Sequence, residues 1–110
     1  FPFKYPQHID AYMQMFAAVF PKVADIRRAG SAALDLAYVA AGRVDGYWEI
    51  GLENWDLAAG KLLVEEAGGS VTNFTGGDTV LDKGHVVAGN LSLHAHLQKS
   101  IAPFVVDNLK

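Results

Sequence analysis

Between Gln7 and Val19 the apolar side chains Ile9, Tyr12, Met13, Phe16 and Val19 recur at steps of three and four, the spacing that lines one face of an α-helix, and Pro21 marks its end. Val23-Ala24-Asp25-Ile26-Arg27 is short, partly β-branched and followed by Gly30, which predicts a strand running into a turn. Ser31 is suited to cap the next helix. Ala32 to Ala41 is apolar on nearly every side except Asp35, and its bounds at Gly30 and Gly42 predict a helix buried between layers.

Gly46 to Gly51 is aromatic and bounded by Gly, so it reads as a strand with Glu49 near its end. Asn54 then serves as an N-cap, and Trp55, Ala58, Ala59, Leu62, Leu63 and Glu66 follow at helical spacing until Gly68-Gly69 stops the helix. Ser70 to Phe74 predicts a strand, Thr75 to Asp78 a loop, and His85 to Ala88 a short strand ending at Gly89. A last helix runs from Asn90 through Leu93, Leu97, Ile101 and Val105, kinked by Pro103. This alternation predicts the α/β class, a layered α/β sandwich in one domain, with a largely parallel sheet covered on both faces. Ligands of such sheets gather beyond the carboxyl ends of the strands, which brings residues 27–32 and 49–56 together. No repeat, low-complexity tract or linker interrupts the chain.

Composition adds an apolar excess. With the 11 Gly counted and the 4 Tyr left out, the apolar share of the 110 residues rises from 51% to about 57%, above the roughly 45–50% usual on that count. A domain of this size buries only about 65% of its unfolded surface, so part of that share is expected to pack against another segment or subunit. The start at Phe1 without Met points the same way, to a chain that begins partway through a gene product. Nine Lys+Arg against twelve Asp+Glu, with no basic cluster, argues against nucleic-acid binding. No apolar run approaches the roughly 18 residues of a membrane span, and the first residues lack the order of a signal peptide. Without Cys there are no disulfides, thiolate metal sites or Cys nucleophiles, which agrees with a cytoplasmic location.

Candidate chemistry gathers at two places. Asp56 lies in the first turn of the third helix, where a carboxylate meets the positive end of the macrodipole; with acidic partners from elsewhere it would also bind a hard cation such as Mg²⁺ shared with phosphate and water. Glu49, between Trp48 and Ile50 at a strand end, could accept hydrogen bonds from substrate hydroxyls, as a polyol would offer. Arg27-Arg28-Ala29-Gly30-Ser31 joins basic side chains to a Gly turn opening a helix, where backbone N–H groups can face an anion; capping alone also explains it. His8, His85, His94 and His96 show no metal-ligand spacing and read as surface or satisfied polar residues. Thr75-Gly76-Gly77-Asp78 lacks the Gly-Lys-Ser/Thr ending of a phosphate loop and reads as a turn.

The run from Trp55-Asp56 through small residues to Glu66-Ala67-Gly68-Gly69 resembles the second signature of the inositol monophosphatase family, and Arg27 to Gly46 is similar to the strand and helix that precede it there. The resemblance covers nearly the whole chain and is greatest to bacterial members of the extragenic-suppressor type. It implies the sugar-phosphatase fold, of which this chain would be the C-terminal half, and hydrolysis of a phosphomonoester by metal-activated water. By the resemblance Asp56 binds a catalytic Mg²⁺ and the substrate, Glu49 binds inositol, Gly30, Ser31 and Ala32 form the turn contacting substrate, and Arg27 lies near the ligand.

The family's first signature, Asp-Pro-Ile/Leu-Asp-Gly-Thr, and the earlier Glu that completes its metal site have no counterpart in this sequence. The expectation is a substrate-recognition half of an inositol-phosphate phosphatase, inactive alone and, like the family, homodimeric. Two alternatives stand beside it. One is a related phosphatase acting on fructose bisphosphate, histidinol phosphate or a nucleotide phosphate; the other is a non-catalytic module that binds a protein partner through an apolar face.

Overall fold

Three antiparallel strands lie between two pairs of helices in the structure, a computed structural model that describes residues 6–26, 31–78 and 80–110. The helices are α1 (Ile9–Val19), α2 (Ala32–Ala40), α3 (Asn54–Glu66), the short α4 (Val80–Lys83) and α5 (Leu91–Ile101), and the strands are β1 (Gly46–Glu49), β2 (Ser70–Thr72) and β3 (Val86–Gly89). The order in the sheet is β1-β3-β2, with Tyr47 opposite Ala88 and Val71 opposite the same residue from the other side. The layered α/β class is as expected, but the sheet is not parallel. Both β1 and β2 run antiparallel to β3, so they point the same way, as strands joined by a crossover helix should. The turn after β2 and α4 then send the chain back, and β3 enters between them.

Alternation along the strands divides the core in two. Tyr12, Met15 and Val19 of α1 and Leu97 and Ile101 of α5 pack with Val87 on one face. Leu36 and Val39 of α2 and Leu57 and Val64 of α3 pack with Val71, Val86 and Ala88 on the other. The helices α2 and α3 approach closely at Gly60, where a Cβ would lie 2.5 Å from Leu36 Cδ1 and 2.7 Å from Leu36 Cβ. Only hydrogen fits there.

Several boundaries and faces differ from the sequence reading. Residues 23–26 form no strand; the Asp25 carboxylate instead accepts the Ile26 N–H at 2.8 Å, a local bond that competes with a ladder. Asn54 is the first residue of α3 and Glu53 is its N-cap. The helix α5 ends at Ile101, and Pro103 sits in a 3₁₀ turn, Ala102–Phe104, in place of a kinked continuation. The α4 helix is unforeseen. Most informative is α3, whose buried side is Leu57, Gly60 and Val64, whereas the expected stripe is exposed: Trp55 is 78% accessible and Leu62 59%. Likewise α2 buries Leu36 and Val39 but leaves Leu34 outside. The apolar excess is therefore partly on the surface, on helices that have two apolar sides. No helix among the described residues is long and apolar enough to cross a membrane.

Candidate functional site

Ser31 caps α2 with its Oγ accepting the Leu34 N–H at 3.4 Å, and Ala32 begins the helix. These two residues, the β1 terminus at Glu49 and the α3 start at Asp56 line one cleft of about 1370 Å³. The sequence expectation that 27–32 and 49–56 converge is thus met for the residues described; Arg27 and Gly30 lie outside them. All four cleft residues are half-buried.

Glu49 shares its face of β1 with Tyr47, toward α2 and α3, because side chains two apart on a strand point the same way. Its Oε1 accepts the Ile50 N–H at 3.3 Å. Asp56 takes part in a reciprocal cap: its Oδ2 accepts the Glu53 N–H at 3.3 Å while the Glu53 side chain accepts the Asp56 N–H. Two of the donors that a helix start leaves unsatisfied are met this way. The Asp56 carboxylate is consequently oriented by the helix that carries it.

Between these carboxylates the chain makes a turn at 50–53 that is held from outside. The Leu52 N–H donates to the Gly84 carbonyl at 2.9 Å, and the Gly51 N–H donates to His85 Nδ1 at 3.1 Å. Gly84 has φ +75°, and a Cβ on it would overlap the Leu52 carbonyl oxygen and lie 2.7 Å from the Leu52 nitrogen. Only glycine permits both the backbone conformation and the approach.

Asp35 and Tyr47 also line the cleft, and sequence reasoning assigned neither to the site. Burial, and then the charge of Glu49, raise the Asp35 carboxyl above its ordinary value. Burial and the charges of Glu49 and Asp35 push the Tyr47 phenol well up, so its hydroxyl keeps its proton. The available signal was Asp35 as the lone charge in the apolar run of α2. A half-buried carboxyl held beside a second carboxylate makes a place suited to cations and hydrogen-bond donors. Even so, the described residues contain no group of three or more His, Asp or Glu placed to hold a metal ion, so this donor set does not by itself make a magnesium site. Of the histidines, His96 is exposed as expected, whereas His8, His85 and His94 are buried; His94 Nε2 and Thr72 Oγ1 are 2.8 Å apart.

The model of the inositol monophosphatase family matches residues 3–109. The chain belongs to this family. A Nus factor SuhB of Pseudomonas aeruginosa is 53% identical over 112 residues, which cover all of this chain and 41% of that protein. The native crystal structure of extragenic suppressor protein suhB from Bartonella henselae superimposes with a TM-score of 0.85 at 45% identity, covering 88% of this chain and 38% of that one. SaIMPase-II with inositol monophosphate bound matches with a TM-score of 0.76 at 26% identity, over 83% of this chain and 36% of that one. The chain thus spans about two-fifths of the length of its relatives, and within the inositol monophosphatase family its matched portion carries the Glu49 to Asp56 turn.

Proposed function

We propose that these residues are the C-terminal, substrate-recognition part of a Mg²⁺-dependent phosphomonoesterase that hydrolyses inositol monophosphate to inositol and phosphate. The carrying observation is the convergence of Ser31, Ala32, Glu49 and Asp56 on one cleft, with a clamped turn between the two carboxylates. In this reading Glu49 accepts inositol hydroxyls, the Gly30-Ser31-Ala32 turn offers N–H groups at a helix start to the phosphate, and Arg27 lies near that anion. Asp56 supplies one oxygen to the metal, the other ligands coming from residues beyond this chain, substrate and water. Bound Mg²⁺ would neutralise phosphate charge and lower the pKa of an attached water. The present residues alone do not turn over substrate. That SaIMPase-II binds inositol monophosphate supports the choice of ester.

The reading includes a cytoplasmic, homodimeric protein. Exposed Trp55, Leu62 and Leu91 provide apolar surface of the kind that a second copy or a further segment covers.

The test is phosphate release from inositol 1-phosphate by the full-length protein, with Mg²⁺ titrated, against fructose bisphosphate, histidinol phosphate and nucleotide phosphates. Asp56→Asn should lower kcat/KM by about 100-fold or more, because removing a metal ligand costs at least what loss of its supporting partners does. An unimpaired Asp56→Asn protein would refute the metal role, and preference for another ester would refute the inositol assignment. The second reading, a non-catalytic protein-interaction module, is favoured by relatives that carry the name Nus factor; it predicts that Asp56→Asn leaves the cellular role intact.

A further inference from the structure

His85 stands at the entrance to β3, 7% exposed. Its ring stacks on Phe74, centroids 5.8 Å apart and planes 14° from parallel, and His8 meets it edge-on at 5.7 Å. Aromatic contacts on two sides fix the plane of the imidazole, and in that plane Nδ1 accepts the Gly51 N–H. A ring nitrogen that accepts carries no proton, so the neutral ring holds its proton on Nε2. One residue earlier, the Gly84 carbonyl accepts the adjacent amide, that of Leu52. Two consecutive residues therefore hold two consecutive amides, and the 50–53 turn is pinned to a strand whose residues Val86, Val87 and Ala88 are fully buried.

This turn is what fixes Glu49 relative to Asp56. We propose that His85 is a positioning residue for the site: through Nδ1 it seats the turn and so sets the spacing between the carboxylate that faces substrate hydroxyls and the carboxylate that faces the metal. The inference rests on the phosphatase reading. His85 does not touch substrate in it; it acts through Gly51. Backbone held at both ends of a short turn transmits small displacements directly to side chains, and misplacement by about 1 Å is enough to cost 100-fold in rate.

The experiment compares His85→Asn with His85→Leu in the full-length protein. Asn places a carbonyl oxygen where Nδ1 lies, whereas Leu fills the space with no acceptor, and both lose the stacking on Phe74. Both variants should melt below the parent, His85→Leu the further because it leaves the Gly51 amide without its acceptor. His85→Leu should lose about 10–100-fold in kcat/KM for inositol 1-phosphate, the range seen when partners that orient a site are removed, and His85→Asn should recover most of it. Equal impairment of the two, or none in either, would overturn the proposal. Imidazole ¹⁵N spectra and exchange of the Gly51 amide provide a readout independent of turnover. If the parent protein hydrolyses no phosphomonoester, the phosphatase reading fails. The positioning role then stands if the Nε2–H tautomer is found and Gly51 exchange accelerates in His85→Leu but not in His85→Asn. An Nδ1–H tautomer overturns it in either case.

Discussion

Replacing Gly84 by Ala tests how rigidly the turn between Glu49 and Asp56 is held. At φ +75° an L side chain is strained, at a cost of about 1–2 kcal/mol. The new Cβ would also overlap the Leu52 carbonyl oxygen, so the turn must move away and the Leu52 N–H to Gly84 carbonyl bond breaks. An amide left without its partner costs about 1–3 kcal/mol, which brings the total to about 2–5 kcal/mol, a large share of the 5–15 kcal/mol that holds a typical domain folded. Gly42 supplies the control. It has φ +76° but no atom within 4 Å of where a Cβ would stand, so Gly42→Ala carries the backbone strain alone. Urea unfolding of both variants, followed by circular dichroism, separates overlap from strain. Gly84→Ala should be the less stable by about 1–3 kcal/mol. Equal midpoints would mean that the turn yields freely and that the clamp carries no energy.

Three further outcomes are expected. Asn73 Oδ1 accepts the Thr75 N–H and Oγ–H at 3.0 Å and the Gly77 N–H at 2.7 Å; Asn73→Ala should cost about 2–4 kcal/mol in unfolding free energy, and Asn73→Asp, which keeps the acceptor, clearly less. Burial holds His8 and His94 below the ordinary histidine value of 6.5, so the unfolded chain binds protons that the folded chain refuses. Stability should be complete above that value and decline as the pH falls through it, seen as a urea midpoint lower at about pH 5.5 than at about pH 7.5 and a shallower decline in His94→Gln. Asp35 has the opposite sense, because its raised carboxyl titrates earlier in the folded state on acidification: the stability it contributes is full below the ordinary 3.8 and lost as the pH rises through the folded value. Asp35→Asn should therefore raise Tm at neutral pH, with the gain vanishing in strong acid.

Local signals in the sequence are legible where one physical cause dominates. The Ser31 cap is present, its side chain accepting the Leu34 amide, since a hydroxyl three residues before a backbone donor needs no distant partner; Asn90, where the last helix is expected to start, accepts the Leu93 amide in the same way. The strand direction is not legible, because a crossover helix fixes only how β1 and β2 point, and nothing local says that β3 will enter between them. The face of α3 is hidden because Trp55, Ala58, Leu62 and Leu57, Val64 are both apolar stripes; choosing the buried one requires knowing that Gly60 admits Leu36. At the candidate site, Glu49 and Asp56 are marked out by their sequence neighbours and by the family resemblance, Asp56 within its signature and Glu49 outside it. The clamp does not, because Gly51 and His85 are 34 residues apart and their bond depends on the sheet being assembled.

The central strand has one consequence for how the molecule breathes. Val87 belongs to the core against α1 and α5, while Val86 and Ala88 belong to the core against α2 and α3, and all three are inaccessible to water. Neither half of the interior can open without stripping a partner surface from a residue adjacent to the other half. The amides of 86–89 should exchange with solvent only through whole-molecule unfolding, while those of the short outer strands exchange through smaller excursions. A sheet of three strands thus makes the two cores one cooperative unit, and the residues that seat the cleft, Gly84 and His85, lead directly into its slowest-opening part.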